Sequence, residues 1–353
     1  MEQLAVKSKK KSLGRKIISG ALVVIILIIV IISGFFFIKI ISPAFNADKI
    51  TYLYIDEKKD YEAILKQLET QSRIKDIRLF ENLASVMKYP QNIKSGKYEI
   101  KPRLNYMELV HMLRNGSQAP VKLTFNNIRL KKDFAERIGS QMMFGEEILW
   151  DKLNQPDVCR SLGFDTTTIM CMFIPNTYEI YWTVSVNQYL ERMKKEYNRF
   201  WTPERLKKAQ AIPLSPSKVS ILASIVEEET VAKSEYPIIA GLYINRLRKG
   251  MPLQADPTLK FAAGDFSLRR VLDIHKAIDS PYNTYKNMGL PPGPVRIPSI
   301  SGIDAVLNYT HHNYLFMVAK DDFSGKHNFN VTLSEHNRDS NKYHEALNRN
   351  NIR

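Results

Sequence analysis

Three consecutive glutamates close an apolar helical pattern in the segment ILASIVEEETVAKSEY, residues 221–236. A carboxyl group that is held among apolar side chains is costly to ionise, so its pKa rises. Such a group stays protonated near neutral pH and can act as a general acid. The chemistry of this segment therefore depends on which of Glu227, Glu228 and Glu229 lies on the apolar side of the helix.

A helical projection places one of the three on that side. At about 100° per residue, with Leu222 as the origin, Ile225 falls at about 300° and Val226 at about 40°. These residues define the apolar face, and Glu229 lies within it at about 340°. The pattern predicts that Glu229 is held against apolar side chains and that its pKa is raised.

The other two glutamates fall outside this face, Glu227 at about 140° and Glu228 at about 240°. We expect both to be ordinary solvated carboxylates. An alternative interpretation fits the same pattern: the helix ends or bends by Thr230, which releases Glu229 to water, or a base such as Arg246 neutralises it. Periodicity alone does not decide between a catalytic and a structural carboxyl.

The elements that must position these carboxyls are helical. The glutamate helix is expected to follow the Pro- and Ser-rich connector IPLSPSK and to continue to about Ser234. Pro237 begins a second helix, IIAGLYINRLRK, for which Gly250 is a natural C-cap. The remainder is expected to be rich in loops, above all in the segment YNTYKNMGLPPGPVRIPSI. A structureless segment of that length is usually functional or a linker.

A separate β/α pattern precedes this region, at residues 48–120. ITYLYI alternates like a strand, DYEAILKQLETQ and IRLFENLASVMKY have helical spacing, and SGKYEI indicates a turn and a strand. A last helix is expected from Asn105 to Gly116. This order predicts a compact unit whose size suits a small binding module better than a catalytic domain.

An apolar N-terminal segment precedes both regions. Residues 17–38 carry no charge, and their 22 residues extend about 33 Å as a helix, which is enough to cross a bilayer. The apolar part of a secretory signal is shorter, about 7 to 15 residues, and the lookalike cleavage site here is Ser42-Pro43-Ala44. We therefore predict a transmembrane helix at residues 17–41 that is retained as an anchor.

Basic residues ahead of this segment predict its orientation. The tail at residues 1–16 has one acid, Glu2, against six basic residues, Lys7, Lys9, Lys10, Lys11, Arg15 and Lys16. The positive-inside bias places this tail in the cytoplasm and the rest of the chain outside the inner (plasma) membrane, on the periplasmic or cell-wall side. We interpret the basic run as a topology signal and expect no nucleic-acid partner.

The charge of the remaining chain favours an anionic partner. The tail accounts for +5 of the formal net charge of +15, which leaves +10 for the rest. A cell-wall polymer or lipid headgroups fit such a surface, although charge alone does not identify the partner. The two cysteines, Cys159 and Cys171, are compatible with a disulfide outside the cytoplasm, but their spacing leaves open whether they are bonded. No paired C-x-x-C indicates zinc.

Five motifs follow one another along the chain: SIVEEET, INRLRKGMPLQADPTL, YNTY, GLPPGP and HNFN. Together they resemble the MltG/YceG-like family of membrane-anchored endolytic murein transglycosylases, strongly over residues 218–336 and more weakly over the PNTY turn and the β/α unit. Several motifs in order are more specific than any one of them. The resemblance implies an α+β protein with a transmembrane helix, a small LysM-like module at residues 48–120 and a YceG-like catalytic domain at residues 121–353.

The resemblance also implies an activity. Family members cleave the β-1,4 bond between N-acetylmuramic acid and N-acetylglucosamine within nascent glycan strands and leave a 1,6-anhydro end, as a terminase of glycan elongation. The family's catalytic glutamate is the second Glu of an E-x-E-T motif, which falls on Glu229, as general acid and then base. No cofactor or metal is expected. The implied partners are peptidoglycan glycan strands, the membrane and peptidoglycan synthases.

Further residues are implied to line the glycan site: Asn245, Arg246, Gln254, Asp256, Tyr282, Asn283, Tyr285, His327 and Asn330. Each has a rival structural role, such as fixing a loop or packing in the core, and His327 has a rival role as a zinc ligand with other histidines. The sequence departs from the commoner family pattern at Glu228, Ala255 and Ser299, where lysine, threonine and glycine are frequent.

Two other functions fit the same residues. A muramidase-type hydrolase would use Glu229 as the acid and Asp256 as the second carboxylate, since glycoside hydrolases ordinarily need two. A non-catalytic glycan-binding scaffold of cell-wall synthesis would rely on the β/α unit instead. The masses of the products separate the two enzymes, and Glu229→Gln separates an enzyme from a scaffold.

Overall fold

The computed structural model describes residues 2–268 and 271–350, with side chains from residue 20 onward within those ranges. The protein is α+β, as the sequence predicts. Its contacts divide it into two compact units. The first runs to Pro120 and includes Tyr181–Thr183, and the second comprises Val121–Ile180 and the chain from Val184 onward.

The chain opens on a long helix, α1, Glu2–Ile41. Its segment Gly20–Ile41 has a mean hydropathy of 3.4, and none of it is buried within the protein. Within the described residues this is the one helix that is long and apolar enough to cross a membrane, as predicted. The side chains of the predicted basic tail, residues 1–16, lie outside the described part of the chain.

The first unit contains the β/α pattern in the predicted order: β1 Thr51–Ile55, α2 Tyr61–Thr70, α3 Ile77–Val86, β2 Gly96–Ile100 and α4 Tyr106–Asn115. The two strands pair antiparallel, with Thr51 opposite Ile100. Side-chain oxygens of Asp60, Asp76 and Asn105 accept backbone N–H groups at the starts of α2, α3 and α4. These caps explain where each helix begins.

The core of this unit takes in the chain that leaves α1. Ala44 is fully buried and Phe45 is 3% exposed, in one apolar cluster with Leu53, Tyr98 and Leu109. The cluster therefore begins three residues beyond the end of α1.

The second unit contains two strand pairs, β3 with β4 and β5 with β6, except for the end residues Pro120 and Tyr181, which belong to the first unit. The strands are β3 Pro120–Phe125, β4 Asn176–Tyr181, β5 Phe316–Ala319 and β6 His327–Asn330. The helices are α5 Lys131–Gly139, α6 Gly145–Asn154, α7 Pro156–Ser161, α8 Val186–Phe200, α9 Pro203–Ala211, α10 Pro216–Glu229, α11 Tyr236–Arg248, α12 Asp256–Ala263, α13 Asp273–Lys276, α14 Ile300–Leu307 and α15 Leu333–Arg349. Cys159 and Cys171, both in this unit, are buried free thiols.

Helix α10 lies at the centre of this unit, in contact with α11, α12 and α14. Every residue from 219 to 227 is buried, so the helix has no single apolar face. Glu227 is only 7% exposed, and Glu228 is half-buried. The prediction that these two carboxylates are solvated is wrong, because protein surrounds the helix on all sides.

The same helix ends earlier than predicted. It stops at Glu229 rather than at Ser234, and Thr230 has extended backbone angles, φ −147° and ψ 148°. The Thr230 hydroxyl accepts a hydrogen bond from the backbone N–H of Ala232 at 3.0 Å. This side-chain bond takes the place of a helical one and fixes the turn that follows. Glu229 therefore occupies the last helical position.

The region predicted to be rich in loops also contains helices. The proline-rich residues between α13 and α14 have no regular structure, as predicted. Helix α15 was missed because its sequence shows no apolar stripe, and only Ala346 within it is buried. A capping box between Thr332 and Glu335 sets its start.

Candidate active site

Glu229 lies where three helices meet. It is the last residue of α10, and α11 packs alongside and supplies Tyr243 and Arg246. These two residues are three positions apart and therefore share one face of the helix. Asp256 begins α12, which also contacts α10. The three helices thus bring two carboxyls, a phenol and a guanidinium towards the end of α10.

The Glu229 carboxyl has an unusual environment. The residue as a whole is half-buried, but protein atoms surround its carboxyl, and this burial raises its pKa to about 8. The Tyr243 hydroxyl donates a hydrogen bond to Glu229 Oε1, which opposes the rise. Asp256 and Glu228 add to the rise, whereas Lys260 lowers the pKa. Because desolvation is the largest effect, Glu229 holds its proton at neutral pH.

The two preceding glutamates have strong partners. Glu227 accepts the backbone N–H of Ser299 at 3.0 and 3.1 Å and also its hydroxyl. Glu228 accepts from Arg296 Nη1 at 2.7 Å and from Arg129 Nη2 at 2.8 Å. The third glutamate forms no ion pair with a basic side chain in the described part of the chain. Glu227 Oε2 also lies 3.8 Å from Arg296 Nε. Glu229 therefore differs from the other two glutamates in lacking a basic partner among the described residues, and not in burial alone.

Replacing Tyr243 by Phe is expected to raise the pKa of Glu229 further. The hydroxyl favours the ionised carboxylate, and a hydrogen bond to a charged group contributes about 1.5 to 3 kcal/mol, or about one to two pKa units. Infrared titration of the carboxyl band, assigned with Glu229→Gln, measures the shift. Tyr236→Phe on the same helix is the control, and a band that titrates alike in wild type and Tyr243→Phe would contradict the role.

Arg246 holds the loop before α12 against the start of β5. The side chain is 6% exposed, and its Nε donates to the carbonyl oxygen of Leu315 at 2.7 Å. Its Nη1 lies 3.1 Å from the carbonyl oxygen of Pro252 and 2.9 Å from that of Leu253. The same Nη1 lies 3.2 Å from Gln254 Oε1. Arg246 therefore fixes the backbone on which Gln254 and α12 depend.

Gln254 is exposed at the end of this loop. Its φ is +52°, in the left-handed region that residues other than glycine rarely adopt. Its backbone N–H donates to the carbonyl oxygen of Thr284 at 3.1 Å. Strained backbone of this kind is concentrated at functional sites. The contacts with Arg246 and Thr284 hold Gln254 in this conformation.

The YNTY segment lies against α12. The Tyr285 hydroxyl donates to Asp256 Oδ1 at 2.6 Å, and both residues are half-buried. Asn283 is fully buried, and its amide donates to the carbonyl oxygens of Lys276 at 3.0 Å and Ile278 at 2.8 Å. Its Oδ1 accepts the backbone N–H of Tyr285 at 3.0 Å. Asn283 thus fixes the segment that presents Tyr285 to Asp256.

Two more predicted residues make structural contacts. The ring of Tyr282 packs on that of Phe261, with centroids 4.6 Å apart. The Asn245 amide donates to the carbonyl oxygens of His312 at 2.7 Å and Tyr314 at 3.1 Å. Tyr282 therefore packs against Phe261 and Asn245 fixes a loop, which are the structural roles considered for them from the sequence. Contact of either residue with glycan stays a prediction.

Strand β6 is joined to the site through Glu235. This carboxylate accepts the backbone N–H of His327 at 2.8 Å, lies 2.9 Å from His327 Nδ1 and accepts the Thr230 hydroxyl at 3.2 Å. His327 is thus tied to the turn that follows α10. Asn330 donates instead to Asp339 of α15 at 2.9 Å. Among the described residues, no group of three or more His, Cys, Asp or Glu is placed to hold a metal ion.

The predicted residues fall into two groups. Arg246, Asp256 and Tyr285 are close enough to Glu229 for their charges to interact with it, and Gln254 contacts Arg246. His327 reaches this group through Glu235, and the remaining residues lie apart. The sequence prediction missed Tyr243, although its spacing of three from Arg246 places both on one helical face. It also missed Glu235, which lies just beyond the predicted helix end at Ser234.

Comparisons with known proteins agree on one family. Residues 53–342 match the YceG-like family. A protein of Bacillus subtilis (strain 168), named endolytic murein transglycosylase, is 41% identical over 162 residues, which are 46% of this chain and 41% of that protein. A protein of the same name from Streptococcus pneumoniae serotype 2 (strain D39) is 26% identical over 323 residues. That match covers 83% of this chain and 58% of the relative, so the chain spans about half the length of these relatives.

A solved structure shares the fold. The 2.6 Å crystal structure of a yceG-like protein from Listeria monocytogenes matches with a TM-score of 0.56 and 27% identity. The match covers 83% of this chain and 99% of that one. Since the family match also extends over most of the sequence, the chain belongs to the YceG-like family.

Proposed function

We propose that this chain is a lytic transglycosylase that cleaves peptidoglycan within its glycan strands. Its relatives in Bacillus subtilis and Streptococcus pneumoniae are named endolytic murein transglycosylases. The observation that carries the proposal is the Glu229 carboxyl, which burial keeps protonated near neutral pH and which no described basic side chain neutralises. Analysis of the cleavage products, described below, tests it.

Glu229 acts twice in the proposed reaction. The protonated carboxyl donates its proton to the oxygen of the β-1,4 bond between N-acetylmuramic acid and N-acetylglucosamine, and the bond from that oxygen to C1 breaks. The carboxylate then accepts the proton of the muramic C6 hydroxyl while O6 bonds to C1. One fragment carries a 1,6-anhydro end, the other a free hydroxyl, and Glu229 regains its proton. No water is consumed, so one carboxyl suffices.

The hydrogen bond from Tyr243 gives the two carboxyl oxygens different roles. Tyr243 donates to Oε1, so we assign the transferable proton to Oε2. Gln254, Asp256 and Tyr285 are proposed to contact the glycan, and Arg246, Tyr282 and Asn283 to hold the loops that present them. Asn245 is proposed to hold the segment before β5, through His312 and Tyr314. His327 and Asn330 are proposed to line the cleft from β6.

The rate is expected to fall on the alkaline side of about pH 8. Glu229 holds its proton below its pKa of about 8 and loses it above, so the acid form decreases tenfold with each further pH unit. The measurement is the pH dependence of kcat/KM for release of anhydro ends by the full-length chain. A kcat/KM that falls with an apparent pKa near that of free glutamate, about 4.3, would contradict the proposal that Glu229 is a buried acid.

A muramidase-type hydrolase is the second candidate, and one observation favours it. The Asp256 carboxylate is close enough to raise the pKa of Glu229, so a second carboxyl is present near the first. A hydrolase adds water to C1, and its products are heavier by one water than anhydro products. Mass spectrometry of digested glycan therefore decides: anhydro ends support the transglycosylase, and hydrated reducing ends overturn it.

The location and the organisation are part of the same proposal. Helix α1 anchors the chain once in the inner (plasma) membrane, with the N-terminus in the cytoplasm and the catalytic domain, residues 121–353, on the periplasmic side. Residues 48–120 form a LysM-like module, and peptidoglycan synthases are candidate partners.

Protease added to spheroplasts tests the proposed topology. It should remove an epitope at the C-terminus and spare one at the N-terminus. The reverse pattern would show that the N-terminus lies outside the membrane and would contradict the proposed topology.

A further inference from the structure

The contact between Lys39 and Asp76 indicates how close the first unit lies to the bilayer. Lys39 is the first charged side chain beyond the uncharged residues 17–38 of α1, so it marks the outer boundary of the hydrocarbon. Its Nζ lies 2.7 Å from Asp76 Oδ2, at the start of α3. The headgroup layer on each side of a bilayer is about 5 to 8 Å deep. The start of α3 therefore lies within this layer, given the membrane anchor proposed above.

Backbone hydrogen bonds hold two chain segments of the first unit against the end of α1. The Ala44 N–H donates to the carbonyl oxygen of Leu104 at 2.9 Å, and the Asn46 N–H to that of Arg73 at 3.0 Å. The Lys75 N–H donates to the carbonyl oxygen of Ala44 at 2.8 Å. Residues 73–78 and 101–105 are consequently placed beside the point where the chain leaves the membrane.

These segments are strongly basic. Together with residues 39–46 they carry six basic side chains and one acid, Asp76, for a net charge of +5. Asp76 is already paired with Lys39. The other basic side chains are exposed: Arg73, Lys75, Arg78, Lys101 and Arg103. One of them, Lys101, has its Nζ 3.7 Å from Glu99 Oε1, in β2. We call Lys39 and these five residues the juxtamembrane collar.

One member of the collar has an unusual backbone. Arg73 has a φ of +56°, in the left-handed region that an arginine rarely adopts. Its carbonyl oxygen accepts the N–H of Asn46, so this backbone is held by the chain that leaves α1. The left-handed backbone of Arg73 is therefore stabilised by its hydrogen bond to the chain that leaves α1.

We propose that the juxtamembrane collar binds the headgroups of anionic phospholipids on the outer face of the membrane. Guanidinium and ammonium groups pair with phosphate, and basic side chains at a membrane surface attract anionic lipids. The depth of the collar selects lipid over cell-wall polymer, because the Lys39–Asp76 contact places it among headgroups. The binding holds the first unit against the bilayer.

Hydrogen exchange of the full-length chain in nanodiscs tests this binding. Peptides over residues 73–78 and 101–105 are expected to exchange more slowly in discs of equimolar phosphatidylglycerol and phosphatidylcholine than in phosphatidylcholine alone. The difference should disappear at roughly 1 M salt, where the Debye length falls to about 3 Å. Equal exchange in the two lipids would overturn the proposal.

Substitution of three arginines separates headgroup binding from other causes of protection. Each basic side chain near an anionic surface contributes about fivefold in binding, so Arg73→Gln, Arg78→Gln and Arg103→Gln together should remove the lipid-dependent protection. The matched control, Lys66→Gln, Lys88→Gln and Lys94→Gln, removes the same charge from exposed positions outside the two segments and should keep it. If the arginine variant and the lysine control show the same lipid-dependent protection from hydrogen exchange, the proposal is also overturned.

The anchor and the activity are measured in the same samples. The collar variant should cleave solubilised glycan like wild type, and Glu229→Gln should keep the lipid-dependent protection while losing cleavage. A chain that does not co-elute with the discs would overturn the proposed anchor and the collar with it. A chain that co-elutes without lipid-dependent protection overturns the collar alone.

Discussion

Glu229→Gln is expected to abolish glycan cleavage and to leave the fold intact. Glutamine has nearly the same size and can accept the hydrogen bond from Tyr243, but it cannot exchange a proton with the substrate. A general acid or base contributes about 10² to 10⁴-fold to the rate, and Glu229 serves as both, so we expect a loss of at least about 10³-fold. Anhydro-ended products, measured for both full-length proteins side by side, give the ratio.

The adjacent glutamate provides a matched control for this substitution. Glu228→Gln makes the same chemical change one residue away, on a carboxylate that pairs with Arg129 and Arg296. We expect this variant to keep most of its activity, because its carboxylate is committed to two cations. Wild-type cleavage, or an unchanged cellular phenotype, in Glu229→Gln would remove Glu229 from the reaction and favour a non-catalytic scaffold.

Arg246→Met is expected to cause the largest loss of stability among single substitutions at the site. Methionine has a similar length but leaves the carbonyl oxygens of Pro252, Leu253 and Leu315 without the guanidinium. An unsatisfied buried polar group costs about 1 to 3 kcal/mol, so the free energy of unfolding should fall by about 3 kcal/mol or more. Urea denaturation, followed by tryptophan fluorescence, measures the change.

Two variants show whether the loss comes from these hydrogen bonds. Arg248→Met, at an exposed position of the same helix, should change the free energy of unfolding by no more than about 0.5 kcal/mol. Arg246→Lys keeps the charge but lacks the planar fork, so it should recover only part of the stability. A stability of Arg246→Met within the range of Arg248→Met would show that the loop does not depend on the guanidinium.

The sequence predicted the elements whose bounds are set by neighbouring residues, such as helix caps and the apolar stretch of α1. Asp60, Asp76 and Asn105 cap helices within three residues of themselves, and the first unit accordingly has its predicted order. The apolar stretch of α1 likewise depends on composition alone. Helix α15 has no buried stripe of its own, and its capping box was too weak a signal to reveal it.

The site depends on partners that lie far apart in sequence. The helical projection selected Glu229 on the premise of one apolar face, whereas α10 is buried all round and Glu227 is well buried too. Glu227 is stabilised by Ser299 and lies 3.8 Å from Arg296, which also pairs with Glu228. These partners lie on other segments of the chain. Periodicity within one helix cannot show such partners, so it could not explain why only the last glutamate lacks a cation.

The chain passes from α1 directly into the core of the first unit. We therefore expect the helix and the unit to move together. Ala44 and Phe45 are buried in that core, so a change in the tilt of α1 is expected to carry the unit with it. Membrane helices tilt by about 20° on average, and at a distance of about 25 Å such a tilt displaces a point by about 9 Å. Given the membrane anchor proposed above, a thinner or thicker bilayer would change the tilt of α1 and so reorient the first unit without any change in its own structure.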